Sequence, residues 1–197
     1  MAAAKVTREV ARKLALRDQL LTSRRRLPLT EVASAARAIR DHLLGTPEVR
    51  RAATVAAYVS VGPEPGTGLL LEALLGAGKR VLLPVLLPDD DLDWAAYAGS
   101  SALAPAPRGL LEPLGPRLGT EAVATADVVL VPGLAVSEEG MRLGRGGGSY
   151  DRALARVPAG TFTCVLLHDG ETGQPVPAEP HDRRVAAAAT PSGITRF

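Results

Sequence analysis

The stretch from Asp127 to Arg156, DVVLVPGLAVSEEGMRLGRGGGSYDRALAR, decides the fold of this chain of 197 residues. It begins with an apolar, β-branched run at residues 128–131, which is typical of a strand buried on both faces of a sheet. Pro132 ends that run, and a polar loop leads to four glycines within five positions: Gly144, Gly146, Gly147 and Gly148. Residues 149–156 then have helical character, so the order is strand, glycine-rich loop and helix.

This order of elements predicts a phosphate-binding site. Glycines let the backbone approach an anion closely, and the N-terminus of the following helix adds partial positive charge. Arg142 and Arg145 are expected to supply mobile charge and bidentate hydrogen bonds to phosphate oxygens. Ser149 or Asp151 is expected to cap the helix, and Asp151 is suited to hold a Mg²⁺ ion that bridges those oxygens.

A flexible surface linker is the alternative interpretation of the glycines, since Gly-Gly-Gly-Ser is also a linker composition. The flanking strand and the two arginines favour the phosphate site. The loop is not a Walker A motif, because no Gly-Lys-Ser/Thr follows it. It is not a Rossmann fingerprint either, because Ser149 or Asp151 stands where the last glycine of G-x-G-x-x-G should be.

Length and composition restrict the class of protein. A chain of this length suits one domain, residues 1–197. Its apolar runs are shorter than a membrane span and it carries no signal segment, so we expect a cytoplasmic protein. The net charge of +2 and the aromatic content of 3% argue against a nucleic-acid surface. The single cysteine, Cys164, excludes an intramolecular disulfide and is expected to be a core residue rather than a nucleophile.

Three further segments predict more strands: the largely apolar residues 54–60, residues 79–83, in which Lys79 and Arg80 precede an apolar run, and the largely apolar residues 162–167. A Leu-rich helix separates the first two, which predicts a parallel, right-handed βαβ unit. The three aspartates at residues 89–91 invite a metal site, but the alternating pattern after them favours a hairpin turn. We therefore predict an α/β fold, a single three-layer domain with a mostly parallel central sheet flanked by helices. The site is expected at the carboxyl edge of that sheet.

A basic N-terminal helix within residues 5–26 is expected to precede this sheet. Its apolar residues share one face, and Lys13 and Arg17 lie one turn apart on another; the apolar residues are Val6, Val10, Leu14 and Leu21. On its own, such a charged face is typical of a solvated surface. A nucleic-acid-binding module built on this helix is a further alternative, which the near-neutral total charge opposes.

The stretch VPGLAVSEEGMRLGRGGGSYDRAL resembles the signature of the 5-formyltetrahydrofolate cyclo-ligases, also called 5,10-methenyltetrahydrofolate synthetases. That signature runs roughly P-G-L/V-A/G-F-D-x-x-G-x-R-L-G-x-G-x-G-Y-Y-D-R. The residues in register with it are Pro132, Gly133, Gly140, Arg142, Leu143, Gly144, Gly146, Gly148, Tyr150, Asp151 and Arg152. Three positions depart from it: Ser137 replaces the usual Asp, Gly147 replaces a Lys found in many members, and Ser149 replaces the first Tyr.

Three shorter segments extend the resemblance over nearly the whole chain. Lys13 and Arg17 match an N-terminal K-x-x-x-R, and Glu64 to Thr67 matches an E-x-x-T segment. His181 and Asp182 match a closing H-D motif, in which Ala186 replaces a second Asp.

The resemblance implies an ATP- and Mg²⁺-dependent ligase of one-carbon metabolism that cyclises 5-formyltetrahydrofolate to 5,10-methenyltetrahydrofolate and releases ADP and phosphate. The residues that it implies for ATP binding are Lys13, Arg17, Arg142, Leu143, Gly144, Arg145, Gly146, Gly147, Gly148, Ser149 and Tyr150. Those implied for folate binding are Val59, Glu64, Arg145, Gly146, Gly147, Gly148 and Ser149. Arg145 and Tyr150 are the implied catalytic residues, and Asp151 and Asp182 the implied metal ligands.

The departures from the signature motivate another hypothesis, a non-catalytic relative that binds nucleotide or folate on the same fold. In either case the expected partners are small molecules, without nucleic acid or membrane, and we expect a monomer.

Overall fold

The structure, a computed structural model, describes residues 2–179 and 182–197, with side chains described from residue 9 onward. The α-helices of this part of the chain are α1 (Ala2–Arg24), α2 (Leu29–Gly45), α3 (Pro47–Arg51), α4 (Gly68–Gly76) and α5 (Ser149–Arg156). None of the helices described is both long enough and apolar enough to cross a membrane.

The strands are β1 (Thr54–Ala56), β2 (Arg80–Leu86), β3 (Leu92–Ala96), β4 (Leu103–Ala106), β5 (Leu110–Pro113), β6 (Val128–Pro132), β7 (Ala135–Val136), β8 (Arg142–Leu143), β9 (Phe162–Leu166), β10 (Ala187–Thr190) and β11 (Gly193–Arg196). Seven of them form one sheet in the order β11-β10-β9-β6-β1-β2-β3. Its five central strands are parallel, and β3 and β11 pair antiparallel at the two edges. The predicted mostly parallel α/β sheet is confirmed.

Helices cover both faces of the sheet. Along β6, Val128 and Leu130 belong to the core that contains α2 and α4, whereas Val129 and Val131 belong to the core that contains α5. Successive side chains of a strand point to opposite faces, so a continuous apolar run is what a doubly covered strand requires. The three-layer prediction is therefore confirmed.

The predicted β1–α4–β2 unit is present, with Val55 paired in parallel to Val81. The aspartates at residues 89–91 form the turn of the β2–β3 hairpin, as the alternating pattern indicated. Asp90 adopts a left-handed conformation with φ of 64° there, and Asp89 Oδ1 accepts a hydrogen bond of 3.1 Å from the Asp91 amide. Local side-chain to backbone bonds of this kind are typical of turns rather than metal sites.

Helix α1 turns its charged face inward, which reverses the expectation from its apolar pattern. Val10 and Leu14 of the predicted apolar face are exposed, whereas Leu21 packs against the core cluster in which Leu20 is buried with Leu134 and Leu143. The Val6 side chain lies outside those described. The physical reason is that Lys13, Arg17, Leu20 and Arg24, spaced by four, three and four residues, share one face. The basic side chains of that face bond to carboxylates and carbonyls of the domain.

Candidate functional site

A cleft of about 880 Å³ opens at the carboxyl edge of the central strands. Tyr58 and Val59, just beyond β1, and Pro132 and Gly133, at the end of β6, form its floor. The glycine loop, α1 and the β4–β5 hairpin contribute the remaining walls. The volume lies within the range of small-molecule sites in enzymes, roughly 300–1,000 Å³.

Every residue that the resemblance implied for ATP, folate or metal binding lines this one cleft, from Lys13 and Val59 through the glycine loop to Asp182. The chain brings them together from positions up to 169 residues apart, the separation of Lys13 and Asp182. His181, which the closing motif also included, lies outside the described residues.

The glycine loop begins α5 without a side-chain cap. Gly148 occupies the N-cap position with φ of 70°, and no side chain bonds the free amides of the first turn. The expectation that Ser149 or Asp151 caps the helix is therefore wrong: Ser149 is already helical, and the Asp151 carboxylate pairs with Arg142. A first turn with uncapped amides keeps those donors available for an anion.

Arg142 is fixed rather than mobile. Its Nη1 donates to the Pro132 carbonyl at 3.0 Å, its Nη2 lies 3.1 Å from Asp151 Oδ2, and its guanidinium stacks 5.8 Å from the centre of the Tyr150 ring. A Cβ atom on Gly144 would lie 2.7 Å from Nη1, which explains the glycine at that position. Arg142 therefore ties the end of β6 to the first turn of α5, which corrects its expected role as a mobile charge.

Arg145 remains half-exposed and connects the two halves of the cleft. Its Nη2 lies 3.0 Å from Glu64 Oε1, and Glu64 Oε2 accepts a 2.8 Å hydrogen bond from the Val61 amide. The turn that presents Glu64 is closed by reciprocal bonds between Ser60 and Thr67, of 2.9 and 3.1 Å. Glu64 itself is only 7% exposed, although its position between two prolines is equally typical of a solvent-facing carboxylate.

Helix α1 brings two more cations to the cleft. The buried Lys13 ammonium lies 2.5 Å from Glu179 Oε2 and 2.6 Å from Asp182 Oδ2. Arg17 Nε donates to the Gly144 carbonyl at 2.9 Å. Glu179 has no counterpart in the sequence motifs, and only its proximity to Asp182 in the chain hints at it.

The carboxylates predicted as metal ligands, Asp151 and Asp182, are each paired with a basic side chain, Arg142 and Lys13 respectively. Both line the cleft, and Mg²⁺ in proteins is usually bound by one or two carboxylates together with phosphate oxygens and water. The part of the chain that the structure describes contains no group of three or more His, Cys, Asp or Glu that could hold a metal by themselves.

Two phenols lie close to Glu64 in the cleft, those of Tyr58 and Tyr150. Burial raises the pKa of both phenols well above its ordinary value, and the Glu64 charge raises it further. Both groups therefore stay protonated at neutral pH, and each phenol is able to donate a hydrogen bond. Sequence reasoning missed Tyr58, although it directly precedes Val59.

Some of the residues that depart from the family motifs line the cleft, and others lie outside it. Ser137 is buried away from the cleft, where its Oγ accepts 3.2 Å hydrogen bonds from the amides of Glu139 and Met141. Ala186 is also outside the cleft, where its amide donates to Thr163. Only Gly147 and Ser149 line the cleft, and Arg152 Nη2 donates to the Gly147 carbonyl at 3.2 Å.

The comparisons with known proteins agree with one another. The model of the 5-formyltetrahydrofolate cyclo-ligase family matches residues 9–191. A 5-formyltetrahydrofolate cyclo-ligase of Mycolicibacterium smegmatis is 43% identical over 184 residues, which are 91% of this chain and 93% of the relative. The Escherichia coli K12 protein of the same name is 36% identical over 151 residues, 75% of this chain and 83% of the relative.

A solved structure is also similar to nearly the whole of this chain. The NMR structure of Aquifex aeolicus 5,10-methenyltetrahydrofolate synthetase superimposes with a TM-score of 0.79 and 26% identity, covering 93% of this chain and 92% of that one. The chain therefore belongs to the 5-formyltetrahydrofolate cyclo-ligase family and is an enzyme.

Proposed function

We propose that this enzyme cyclises 5-formyltetrahydrofolate to 5,10-methenyltetrahydrofolate, with conversion of ATP to ADP and phosphate. The contact between Arg145 and Glu64 carries the proposal, because it joins the glycine loop to the turn after β1 within one cleft. A nucleotide on the loop and a folate against Glu64 would have their reacting atoms adjacent. The relatives named above carry the same activity in their names.

The reaction activates an unreactive oxygen. The formyl oxygen attacks the γ-phosphorus of ATP, and ADP leaves. N10 of the folate then attacks the activated formyl carbon and loses its proton to the departing phosphate, the ring closes, and the carbon–oxygen bond breaks with release of that phosphate. This sequence requires no nucleophile from the protein. It requires in-line positioning and neutralisation of phosphate charge, the effects that dominate phosphoryl transfer.

The chain offers groups for both requirements. The amides of residues 146–148 and the first turn of α5 would bind phosphate oxygens, with Lys13 and Arg17 adding positive charge from α1. Arg145 would leave Glu64 for the transferred phosphoryl group, because its side chain is half-exposed and phosphate oxygens offer the guanidinium bidentate hydrogen bonds. Glu64 would then be ready to accept hydrogen bonds from the folate ring.

Asp151 and Asp182 would hold Mg²⁺, which when bound neutralises charge on the phosphate oxygens. Arg142 would keep the Asp151 carboxylate in place through its 3.1 Å contact. Tyr150, beneath the loop, would pack against the reacting groups and donate a hydrogen bond from its protonated phenol.

The test is the absorbance of the methenyl product during incubation with 5-formyltetrahydrofolate and Mg-ATP. Arg145→Ala and Asp151→Asn are expected to lower kcat/KM by at least about 100-fold, as loss of charge stabilisation does elsewhere. The matched controls are Arg40→Ala and Asp41→Asn, which break an exposed pair on α2 and should leave the rate unchanged.

Normal turnover in both cleft variants would refute the assignment of the site. Retention of Mg-ATP by the wild-type enzyme without formation of the methenyl product would contradict the proposed reaction, and Gly147 and Ser149 are the departures from the signature that line the cleft. Gel filtration with light scattering should give the mass of a monomer. The unpaired, buried thiol of Cys164 is compatible with the cytoplasmic location that the sequence predicts.

A further inference from the structure

We propose that Tyr58 is a folate-binding residue whose phenol donates a hydrogen bond to the carbonyl oxygen at C4 of the pterin ring. The inference rests on the proposed function and deepens it, because it assigns a residue that forms a hydrogen bond with one edge of the pterin ring. Glu64 would accept hydrogen bonds from the N–H groups of the same edge.

The main observation is a polar atom without a partner. Tyr58 is 3% exposed, and its phenol oxygen is fully buried without a hydrogen-bond partner among the residues that the structure describes. Nearly all buried polar groups in folded proteins are hydrogen-bonded, and each exception calls for an explanation such as a ligand. Tyr58 lines the cleft, so a bound ligand is where its partner would come from.

The surroundings of the phenol indicate which chemistry it meets. The Glu64 carboxylate and the Tyr150 phenol are close enough to influence its ionisation, and burial keeps it protonated. Tyr58 is therefore a hydrogen-bond donor beside the acceptor oxygens of Glu64. A pterin ring presents the complementary pattern on one edge, with the 2-amino and N3–H donors adjacent to the C4 carbonyl acceptor.

A purely structural role does not account for the hydroxyl group. The Tyr58 ring packs in the core between the sheet and helices α2 and α4, where a phenylalanine would fill the same space. Removing a buried hydroxyl that has no partner should leave stability unchanged or raise it. A loss of substrate affinity together with unchanged or higher stability would distinguish a binding role from a packing role.

The experiment compares Tyr58→Phe with the wild-type enzyme by isothermal titration with 5-formyltetrahydrofolate in the presence of ADP and Mg²⁺. We expect Kd for the folate to rise about 10-fold, Kd for ADP to stay within about twofold, and Tm to stay the same or rise. The matched control is Tyr97→Phe. Its phenol donates to Glu72 outside the cleft, so that variant should lose stability and keep its folate affinity.

A second titration locates the contact on the ring. Wild type should bind the 4-oxo compound more tightly than its 4-amino analogue, and Tyr58→Phe should reduce that preference. Equal folate affinity of Tyr58→Phe and wild type, or an equal loss for both analogues, would overturn the proposed contact at C4. If wild-type enzyme bound no reduced folate at all, the proposed function itself would fail, which is a different result.

Discussion

At the scale of single residues, neighbouring glycines of the loop differ in whether their backbone conformation and surroundings require glycine. Gly146 and Gly148 have φ of 103° and 70°, which side chains other than glycine rarely adopt. Gly147 has no such conformation, and a Cβ there would meet only Ser149 Oγ, at an ordinary 3.5 Å. A Cβ on Gly148 would instead lie 3.2 Å from Arg152 Nη1. Only the middle glycine therefore accepts a side chain without strain.

Gly147→Lys should consequently fold normally and lower KM for Mg-ATP several-fold, because it adds a cation beside the expected phosphate position. Gly148→Lys is the matched control, with the same charge one residue away. It should lose most activity, since a left-handed conformation costs a residue with a Cβ about 1–2 kcal/mol. Initial rates over a range of Mg-ATP concentrations, with thermal melts of both variants, provide the measurement. An unfolded Gly147→Lys would show that the loop conformation described above is wrong.

At the scale of elements, α1 is attached to the domain by buried charge as well as by apolar contacts. Arg24 Nε lies 2.7 Å from Glu171 Oε1, its Nη2 donates to Glu171 Oε2 and to the Gly133 carbonyl, and both side chains are buried. Glu171 Oε2 also accepts from the His168 amide, and the His168 ring contacts the Pro63 carbonyl beside Glu64. The end of α1 is thus joined to the turn that presents Glu64.

Removing one partner of a buried ion pair leaves the other charge uncompensated, which typically costs about 3–5 kcal/mol. Glu171→Gln should therefore lower the free energy of unfolding by about 3 kcal/mol, measured by urea titration. Asp41→Asn, which breaks the exposed pair with Arg40, should cost less than about 1 kcal/mol. Similar losses in the two variants would contradict the buried role of Arg24 and Glu171.

The β2–β3 turn is attached to α5 by a second pair, which predicts acid sensitivity. Arg156 donates to both oxygens of Asp91, at 2.9 and 2.5 Å, and these hydrogen bonds lower the pKa of the Asp91 carboxyl. Because the pKa of Asp91 is lower in the folded state than in the unfolded state, its ionised carboxylate stabilises the fold above the usual aspartate pKa of about 3.9. This stabilisation is lost as the pH falls through the pKa of Asp91 in the folded state.

Arg156→Met should accordingly destabilise the protein by about 2 kcal/mol at pH 7, as loss of charge-assisted hydrogen bonds does elsewhere. Urea titrations of variant and wild type should converge as the pH falls below about 4, the ordinary aspartate range. A constant difference between the two proteins from pH 7 to pH 3 would exclude Asp91 as the group responsible.

At the scale of the whole molecule, Cys164 reports on global unfolding. It is fully buried in β9, and burial raises the pKa of its thiol to about 12. Thiol reagents should therefore label it at pH 8 only when the domain unfolds. Mg-ADP and 5-formyltetrahydrofolate, each at 100 times its Kd, should slow labelling by at least about 100-fold, because ligands that bind only the folded state lower the unfolded population. Rapid labelling of the native protein would show that Cys164 is accessible without global unfolding.

The fold and much of the cleft were predictable from the sequence, for identifiable reasons. The run at residues 128–131 is apolar at every position because both faces of β6 are covered, and the glycines mark a backbone that must bend. The inward face of α1 was not predictable, because its partners lie more than 100 residues away and only tertiary contacts make burial of charge favourable. Tyr58 was not predictable as a site residue, because only the folded structure shows that its hydroxyl is buried and lacks a protein partner.

Under the proposed function, the contact between Arg145 and Glu64 would make each substrate an effector of the other. A nucleotide that attracts the guanidinium would release the carboxylate, and a folate that engages the carboxylate would release the guanidinium. Thermodynamic linkage requires the two effects to be equal in size. Saturation with one ligand should therefore tighten binding of the second, and Glu64→Gln should weaken this cooperativity in both directions by the same factor.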